Sequence, residues 1–246
     1  MTHLSKLAIT FDAYNTLFDF ITDAERALRA ILPPEGRQHL RDVLETMNAA
    51  VPRLLDQFLG RRRSDFSEFL TLAAIHRAGF DEVKAHILPA LDVDAATDAW
   101  NRYIAQVPLY PDARAAVEWV AARFPIAIVS DIDTWMLEDN VRRTGLPIRH
   151  VVTSEREGTY KAMADSTMFQ VAARLLGCAP RDIVHVGDSS ADIIGARRAG
   201  ARAIWLNRPG IQRPMTMPAP DGEIYTLAEL PNVLAPIARE RGIPMG

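Results

Sequence analysis

Apolar residues recur along this chain with two different periods, and the change of period divides it. Leu7-Ala8-Ile9-Thr10-Phe11 is a short apolar run that ends in Asp12, and a polar turn follows. Such a run reads as a strand over residues 6–12, buried on both faces and delivering one carboxylate to the rim of a sheet. From about residue 18 to 107 the spacing is helical. Leu40, Leu44, Met47, Val51, Leu54 and Phe58 alternate steps of four and three, which places them on one helix face. Pro52 is expected to kink or split that helix. Phe66, Phe69, Leu70 and Ala73 form a second stripe, with Ser64 or Asp65 placed to cap it. Val93, Trp100, Tyr103, Ile104 and Val107 form a third. The stripes predict a small helical bundle, with Trp100 and Tyr103 in its core; the alternative is that they line a pocket.

After Pro108 the period changes again. Asp112 is placed to cap a helix through Ala122, and Ile126-Ala127-Ile128-Val129-Ser130 reads as a buried strand. A helix from Trp135 to Arg143 ends near Gly145, and His150-Val151-Val152-Thr153 is a short strand. Met168, Val171, Ala172 and Leu175 mark a helix stopped by Gly177. Ile183-Val184-His185-Val186-Gly187-Asp188 is another strand ending in a carboxylate, and a helix over Ala191–Ala199 is closed by Gly200. Ala203-Ile204-Trp205-Leu206 is the last clear core strand. Pro209–Pro220 is a proline-rich ordered loop, and residues 227–240 read as a terminal helix interrupted by Pro231 and Pro236. Strands alternating with helices, each strand apolar throughout, predict an α/β fold: a parallel sheet with helices on both faces. Its domain is built from residues 1–17 and 108–246, around a helical insert over 18–107. Open α/β sheets bind ligands at the carboxyl ends of their strands, so an insert placed directly after Asp12 is expected to act there as a lid.

Composition narrows the function classes. With 48% hydrophobic and 24% charged residues the chain is an ordinary soluble globular protein. A net charge of −3 leaves no basic footprint for nucleic acid, and Arg61-Arg62-Arg63 reads as a solvated loop. Cys178 is the sole cysteine, which excludes an internal disulfide and a thiolate metal cluster and fits a reducing compartment. The first strand starts too early to leave room for a signal peptide, and no apolar run reaches the roughly 18 residues of a membrane span. The expected location is the cytoplasm. Lys6, Lys84 and Lys161 are the only lysines beside many arginines, which singles out Lys161 as a residue with a specific task.

Four features then fall in order: Asp12 after the first strand, Ser130 ending the second, Lys161 in a loop, and Gly187-Asp188-Ser189-Ser190-Ala191-Asp192 after a later strand. In this order, around a helical insert, they resemble the haloacid dehalogenase superfamily of hydrolases. The most specific pieces are Phe11-Asp12-Ala13-Tyr14-Asn15-Thr16-Leu17-Phe18-Asp19 and Val186-Gly187-Asp188 through Gly195-Ala196-Arg197-Arg198-Ala199-Gly200. The resemblance covers essentially the whole chain. It implies a Rossmann-like core with a helical cap domain and a covalent mechanism with Asp12 as nucleophile. Lys161 and Ser130 would stabilise the developing negative charge. Asp12, Asp188, Asp192 and the backbone carbonyl of Tyr14 would hold Mg²⁺. Asn15, Thr16 and Asp131 are the candidate substrate contacts. The bland reading of Asp188 and Asp192 is helix capping, a task that Ser189 or Ser190 can take over.

Departures from the family pattern divide the functional reading. Phosphatases of the family carry a second Asp as acid/base where this chain has Tyr14, whose ordinary pKa near 10 suits a general base poorly. Asp131 is a candidate replacement, against the alternative that it caps the helix before Thr134. Asp12-Ala13-Tyr14 and Thr16 resemble the 2-haloacid dehalogenases, which use no metal; Gly187-Asp188 resembles the phosphatases. The dehalogenases' cap arginine is expected where Met47 stands, leaving Arg41 or Arg53 as substitutes. Asn15 replaces the usual glycine and is the residue that best tolerates a positive φ there. The leading expectation is a Mg²⁺-dependent phosphatase acting on a small phosphorylated metabolite. The alternatives are a metal-free 2-haloacid dehalogenase, a carbon–phosphorus hydrolase using Lys84, and an inactive binding relative. The partner is a small molecule, and the assembly a monomer or homodimer.

Overall fold

The computed structural model of the chain describes residues 7–61 and 69–244. Lys6, Arg62, Arg63, Ser64, Asp65 and Phe66 lie outside the described residues, as does the side chain of Phe58. The chain forms two compact units. One runs through Asp19 and adds Pro108–Asp131 and the residues from Val141 on; the other takes Phe20–Val107 and Ile132–Asn140.

The helical unit contains α1 (Ala24–Ile31), α2 (Leu40–Arg61), α3 (Leu72–His86) and α4 (Val93–Ile104). The face of α2 that is buried carries Leu40, Val43, Met47 and Ala50; Leu44, Val51 and Leu54 lie at its margin. Pro52 leaves α2 in one piece. Pro52 and Asn48 are both exposed, so the carbonyl that loses its amide donor is open to water. Phe69 and Leu70 precede α3 rather than belong to it, and Thr71 caps it by accepting from Ala74 N at 3.1 Å. Trp100 is buried, and its ring meets Tyr103, Phe20 and His76 at centroid distances of 5.3, 5.7 and 6.4 Å. His76 Nδ1 lies 2.7 Å from Asn101 Oδ1, and burial pushes the His76 imidazole down to about 4.

The α/β unit holds a six-stranded sheet in the order β3-β2-β1-β4-β5-β6, with every pair parallel. The strands are β1 (Ala8–Phe11), β2 (Ile126–Ser130), β3 (Val151–Thr153), β4 (Ile183–Gly187), β5 (Arg202–Leu206) and β6 (Gly222–Ile224). Its helices are α5 (Ala113–Ala121), the end of α6 (Thr134–Thr144), the single turn α7 (Ser154–Glu157), α8 (Thr167–Leu176), α9 (Ser190–Arg198) and α10 (Leu230–Glu240). β1 lies centrally because both of its neighbours pair with it: Phe11 is in register with Ile128 of β2 and with Val186 of β4. The chain therefore turns to opposite sides of β1, the kind of switch point that opens a crevice at the carboxyl ends of the strands. Phe169, Met168, Ile193, Ile183 and Trp205 belong to one buried cluster of the unit.

Several expectations need correction. β6 has only three residues and no alternation, so it was invisible as a strand until β5 supplied an edge to pair with. α10 is not interrupted: Pro231 sits in its first turn and Pro236 on an exposed side. Asp112 does not cap α5; its carboxylate is taken by Arg208, Thr226 and Leu227 N. Residues 18 and 19 stay with the α/β unit, where Asp19 N donates to Pro108 O. Residues 132–140 go to the helical unit instead, because Asp133 accepts from Leu72 N and Ala73 N at 2.8 and 3.0 Å and Asn140 Nδ2 donates to Ile104 O. None of the described helices is long and apolar enough to cross a membrane.

Candidate active site

Three neighbouring strands end on this site. Asp12 follows β1, and its N–H donates to Val186 O at 2.8 Å, carrying the β1–β4 ladder one residue past the strand. Ser130 closes β2, and its hydroxyl donates to Asp12 Oδ1 at 3.0 Å. Lys161 reaches the same oxygen at 2.6 Å and Asp192 Oδ1 at 2.5 Å. Asp12, Lys161 and Asp192 are 5%, 4% and 0% exposed, so this ion chain is removed from solvent, where charge pairs act more strongly than at the surface.

The Lys161 loop is fastened by its backbone. Lys161 N donates to Asp131 Oδ1 at 2.9 Å, and Gly195 of α9 lies so close that a Cβ there would collide with the Lys161 carbonyl oxygen. Gly187 serves the same purpose for Asp192, whose carboxylate fills the space a Cβ would need. Asp192 closes a capping box at the start of α9: Ser189 N and Ser189 Oγ donate to its Oδ2 at 2.9 and 2.6 Å. Its Oδ1 receives Lys161 and, at 2.9 Å, His185 Nε2. His185 is fully buried and meets Thr10 Oγ1 through Nδ1 at 2.9 Å. With the proton assigned to Nε2, the imidazole donates to Asp192 and accepts from Thr10. The expectation that a serine would cap α9 and leave both carboxylates free holds for Asp188 alone; Asp192 is part of the cap. His185 escaped the sequence reading, although a histidine within the apolar run Ile183–Val186 was the signal that it had a buried partner.

The electrostatics are uneven. Burial pushes Asp12 upward, Lys161 opposes that shift, and Asp192 adds to it. Burial alone would also raise Asp192, but Lys161 and the His185 hydrogen bond outweigh it and hold Asp192 far below the usual carboxylate range. Lys161 is lowered by burial and raised more strongly by Asp12, Asp192 and Asp131, so it stays charged. Asp188 is held well above the usual range by burial and by the charges of Asp12 and Asp192. Burial pushes Asp131 up to about 6. One carboxylate oxygen from each of Asp12, Asp188 and Asp192 lies within 4.8 Å of the others. Three hard oxygen donors, one of them charged only at a cost because of burial and its neighbours, fit a small divalent cation, which would favour the charged form of Asp188.

The remaining candidates take different places. Tyr14 is half-buried, and its ring meets that of Phe18 at a 40° tilt, 5.8 Å between centroids. Asn15 adopts φ 62°, and Thr16 is fully buried. Asn15 Oδ1 and Thr16 Oγ1 are buried with no hydrogen-bond partner among the described residues. Arg41 and Arg53, proposed as cap cations, pair with Glu45 and Glu82, and Met47 packs in the core of the helical unit. Lys84 is exposed on α3.

Asp12, Ser130, Lys161 and Asp192 meet at the rim of a parallel sheet, with Asp188 beside them, an arrangement able to support attack by a buried carboxylate. The chain belongs to the haloacid dehalogenase-like hydrolases, whose family model matches residues 7–200. It is 26% identical over 226 residues to the (S)-2-haloacid dehalogenase H-109 of Pseudomonas putida, covering 90% of this chain and 95% of that one. It is 29% identical over 137 residues to the phosphoserine phosphatase of Thermus thermophilus, 54% of each chain. The crystal structure of the L-2-haloacid dehalogenase RSc1362 shares its fold with a TM-score of 0.75 at 21% identity, over 94% of this chain and 99% of that one. Relatives of both chemistries thus match, and what is common to them is the hydrolase class.

Proposed function

We propose that the chain is a cytoplasmic, Mg²⁺-dependent phosphatase that acts on a small phosphorylated metabolite through an aspartyl-phosphate on Asp12. The observation that carries this reading is Asp188, a third carboxyl group gathered against Asp12 and Asp192 and charged only at a cost. Such a group has a use once a divalent cation lies among the three. Asp12, Asp188 and Asp192, with the Tyr14 carbonyl, would hold the ion, whose charge would offset that of the phosphoryl oxygens.

In this reading an Asp12 carboxylate oxygen attacks phosphorus as the bond to the leaving oxygen breaks. Lys161 Nζ and Ser130 Oγ, both already at Asp12 Oδ1, face the developing charge. Asp131 supplies the proton to the leaving alkoxide, its pKa near 6 keeping part of it protonated at neutral pH. Water then attacks phosphorus, releases inorganic phosphate and frees Asp12, and its proton returns to Asp131. Hydrolysis of p-nitrophenyl phosphate is expected with Mg²⁺, lost on complete chelation, and reduced about a hundredfold or more in Asp188→Asn. Turnover that survives chelation would overturn the reading.

One observation favours a second reading, as a metal-free 2-haloacid dehalogenase. Lys161 sits between Asp12 and Asp192 and balances charge there without an ion. Asp12 would then attack the carbon bearing the halide, and a halide leaves without needing a proton. Halide release from 2-chloropropionate, indifferent to chelator, would establish that reading; no release from several haloacids would remove it.

A further inference from the structure

Arg208 lies just past β5, outside every motif considered above. Its guanidinium donates through Nε to Asn15 O at 3.3 Å and through Nη2 to Thr16 O at 2.9 Å. The two terminal nitrogens also pair with Asp112, Nη1 to Oδ2 at 3.1 Å and Nη2 to Oδ1 at 3.0 Å. Its Cζ lies over the Tyr110 ring, 3.9 Å from the ring centre. The pair is largely buried, 18% and 19% exposed. Both of its ends are anchored. Asp112 accepts from Thr226 Oγ1 at 2.6 Å and Leu227 N at 2.8 Å. Asn207, beside Arg208, donates to Ile211 O and to Glu223 and accepts from Ile211 N.

The two carbonyls that Arg208 grips belong to the turn that begins at Asp12. In that turn Leu17 N and Phe18 N both donate to Ala13 O, and Asn15 N donates to Phe18 O. Asn15 at φ 62° is in the left-handed region, which costs a residue with a side chain free energy relative to glycine. Relaxing Asn15 to negative φ would swing the Asn15–Thr16 peptide and pull both carbonyls off the guanidinium. We infer that Arg208, held by Asp112 and Tyr110, is a positioning residue that clamps the turn carrying Asp12. The inference rests on Asp12 as nucleophile and is the same whichever electrophile Asp12 attacks. Lysine cannot substitute, because one ammonium does not span two carbonyls and a carboxylate with a planar fork.

Arg208→Lys in the full chain tests this by two readouts. Amide hydrogen exchange at Leu17 and Phe18 is expected to speed up about tenfold or more while β1 and α9 keep their protection. On whichever substrate the wild type turns over, kcat is expected to fall roughly tenfold to a hundredfold with KM little changed, as for a misplaced reacting group. Adding Asn15→Gly to Arg208→Lys should return part of that loss, because glycine holds a positive φ unaided. Unchanged exchange at Leu17 and Phe18, or acceleration confined to residues 110–113 and 226–230, would overturn the clamp. A wild type inactive on phosphate esters and haloacids would remove the proposed function and leave exchange to decide the clamp. Should Arg208→Lys not fold, Tyr110→Leu removes only the ring beneath the guanidinium. It is expected to show a smaller acceleration at the same amides, about threefold, and normal exchange in the folded variant would overturn the proposal.

Discussion

Each unit of this chain buries a polar centre, and the two centres are built differently. In the helical unit His76 faces the neutral amide of Asn101 beneath the Trp100 ring. In the α/β unit Thr10, His185, Asp192, Lys161, Asp12 and Ser130 form one connected chain of hydrogen bonds and charges. The first centre pairs polar groups with each other and brings no carboxylate or lysine with it. The second gathers four carboxyl groups, Asp12, Asp131, Asp188 and Asp192, near a single lysine. Its floor at Asp192 is fully matched by donors, whereas Asp188 is not. The proposed function gives the unmatched side its task, since a bound cation would supply the missing positive charge there.

The largest expected effect falls on the charged floor. Lys161→Met should destabilise the protein by about 3–5 kcal/mol in urea unfolding, because buried carboxylates lose their counter-charge. It should also lower turnover about a thousandfold. Next, Asp192→Asn should cost about 2–3 kcal/mol, through its bonds to Lys161, His185 and Ser189. Asp188→Asn without metal should change stability by less than about 1 kcal/mol, toward greater stability, as a like-charge contact disappears. Equal costs for the two would break the distinction between a matched and an unmatched carboxylate. Mg²⁺ at about a hundred times its dissociation constant should stabilise the wild type by about 2.7 kcal/mol, and Asp188→Asn should lose most of that gain in a thermal-shift titration.

The smallest effect tests the neutral centre. Burial lowers the folded-state pKa of His76 from 6.5 to about 4, so its neutral form is favoured in the fold. Its contribution is therefore fully present above pH 6.5 and is lost as pH falls toward 4. Between pH 7 and 5 His76 should account for a loss of about 2 kcal/mol, read from urea midpoints of the wild type against His76→Gln at both pH values, because the raised carboxyls Asp131 and Asp188 act in the opposite sense in both proteins. His76→Gln keeps a partner for Asn101 and should flatten that difference; an unaltered pH dependence would show that the neutral centre does not titrate as its burial requires.

Much of this was legible in the amino-acid sequence, because it depends on local order. An apolar run that stops at Asp12 places a carboxylate one residue past a strand wherever that strand lies. The run Ile183–Asp188 does the same, and the positive φ of Asn15 was implied by its place in the family's first motif, where an asparagine tolerates it. The helix stripes were legible as periodicity, although the buried face of α2 is rotated toward Val43 and Ala50, since neighbouring helices choose which side of a broad stripe to cover. What could not be read was the partner of each polar side chain. Asp112 stands before a helix and looks like its cap, yet it answers Arg208, 96 residues away. Asp133 accepts amides of α3, about 60 residues away.

A parallel α/β architecture, an inserted helical segment and the order in which Asp12, Ser130, Lys161, Asp188 and Asp192 fall along the chain all follow from the amino-acid order. Periodicity and strand ends carry that information. Long-range packing alone makes Asp192 at once helix cap, ion partner and acceptor of His185, creates β6, and brings Arg208 onto the turn beyond Asp12. Those outcomes depend on which of several donors reaches a buried oxygen, and that choice is made by packing between segments far apart in the chain.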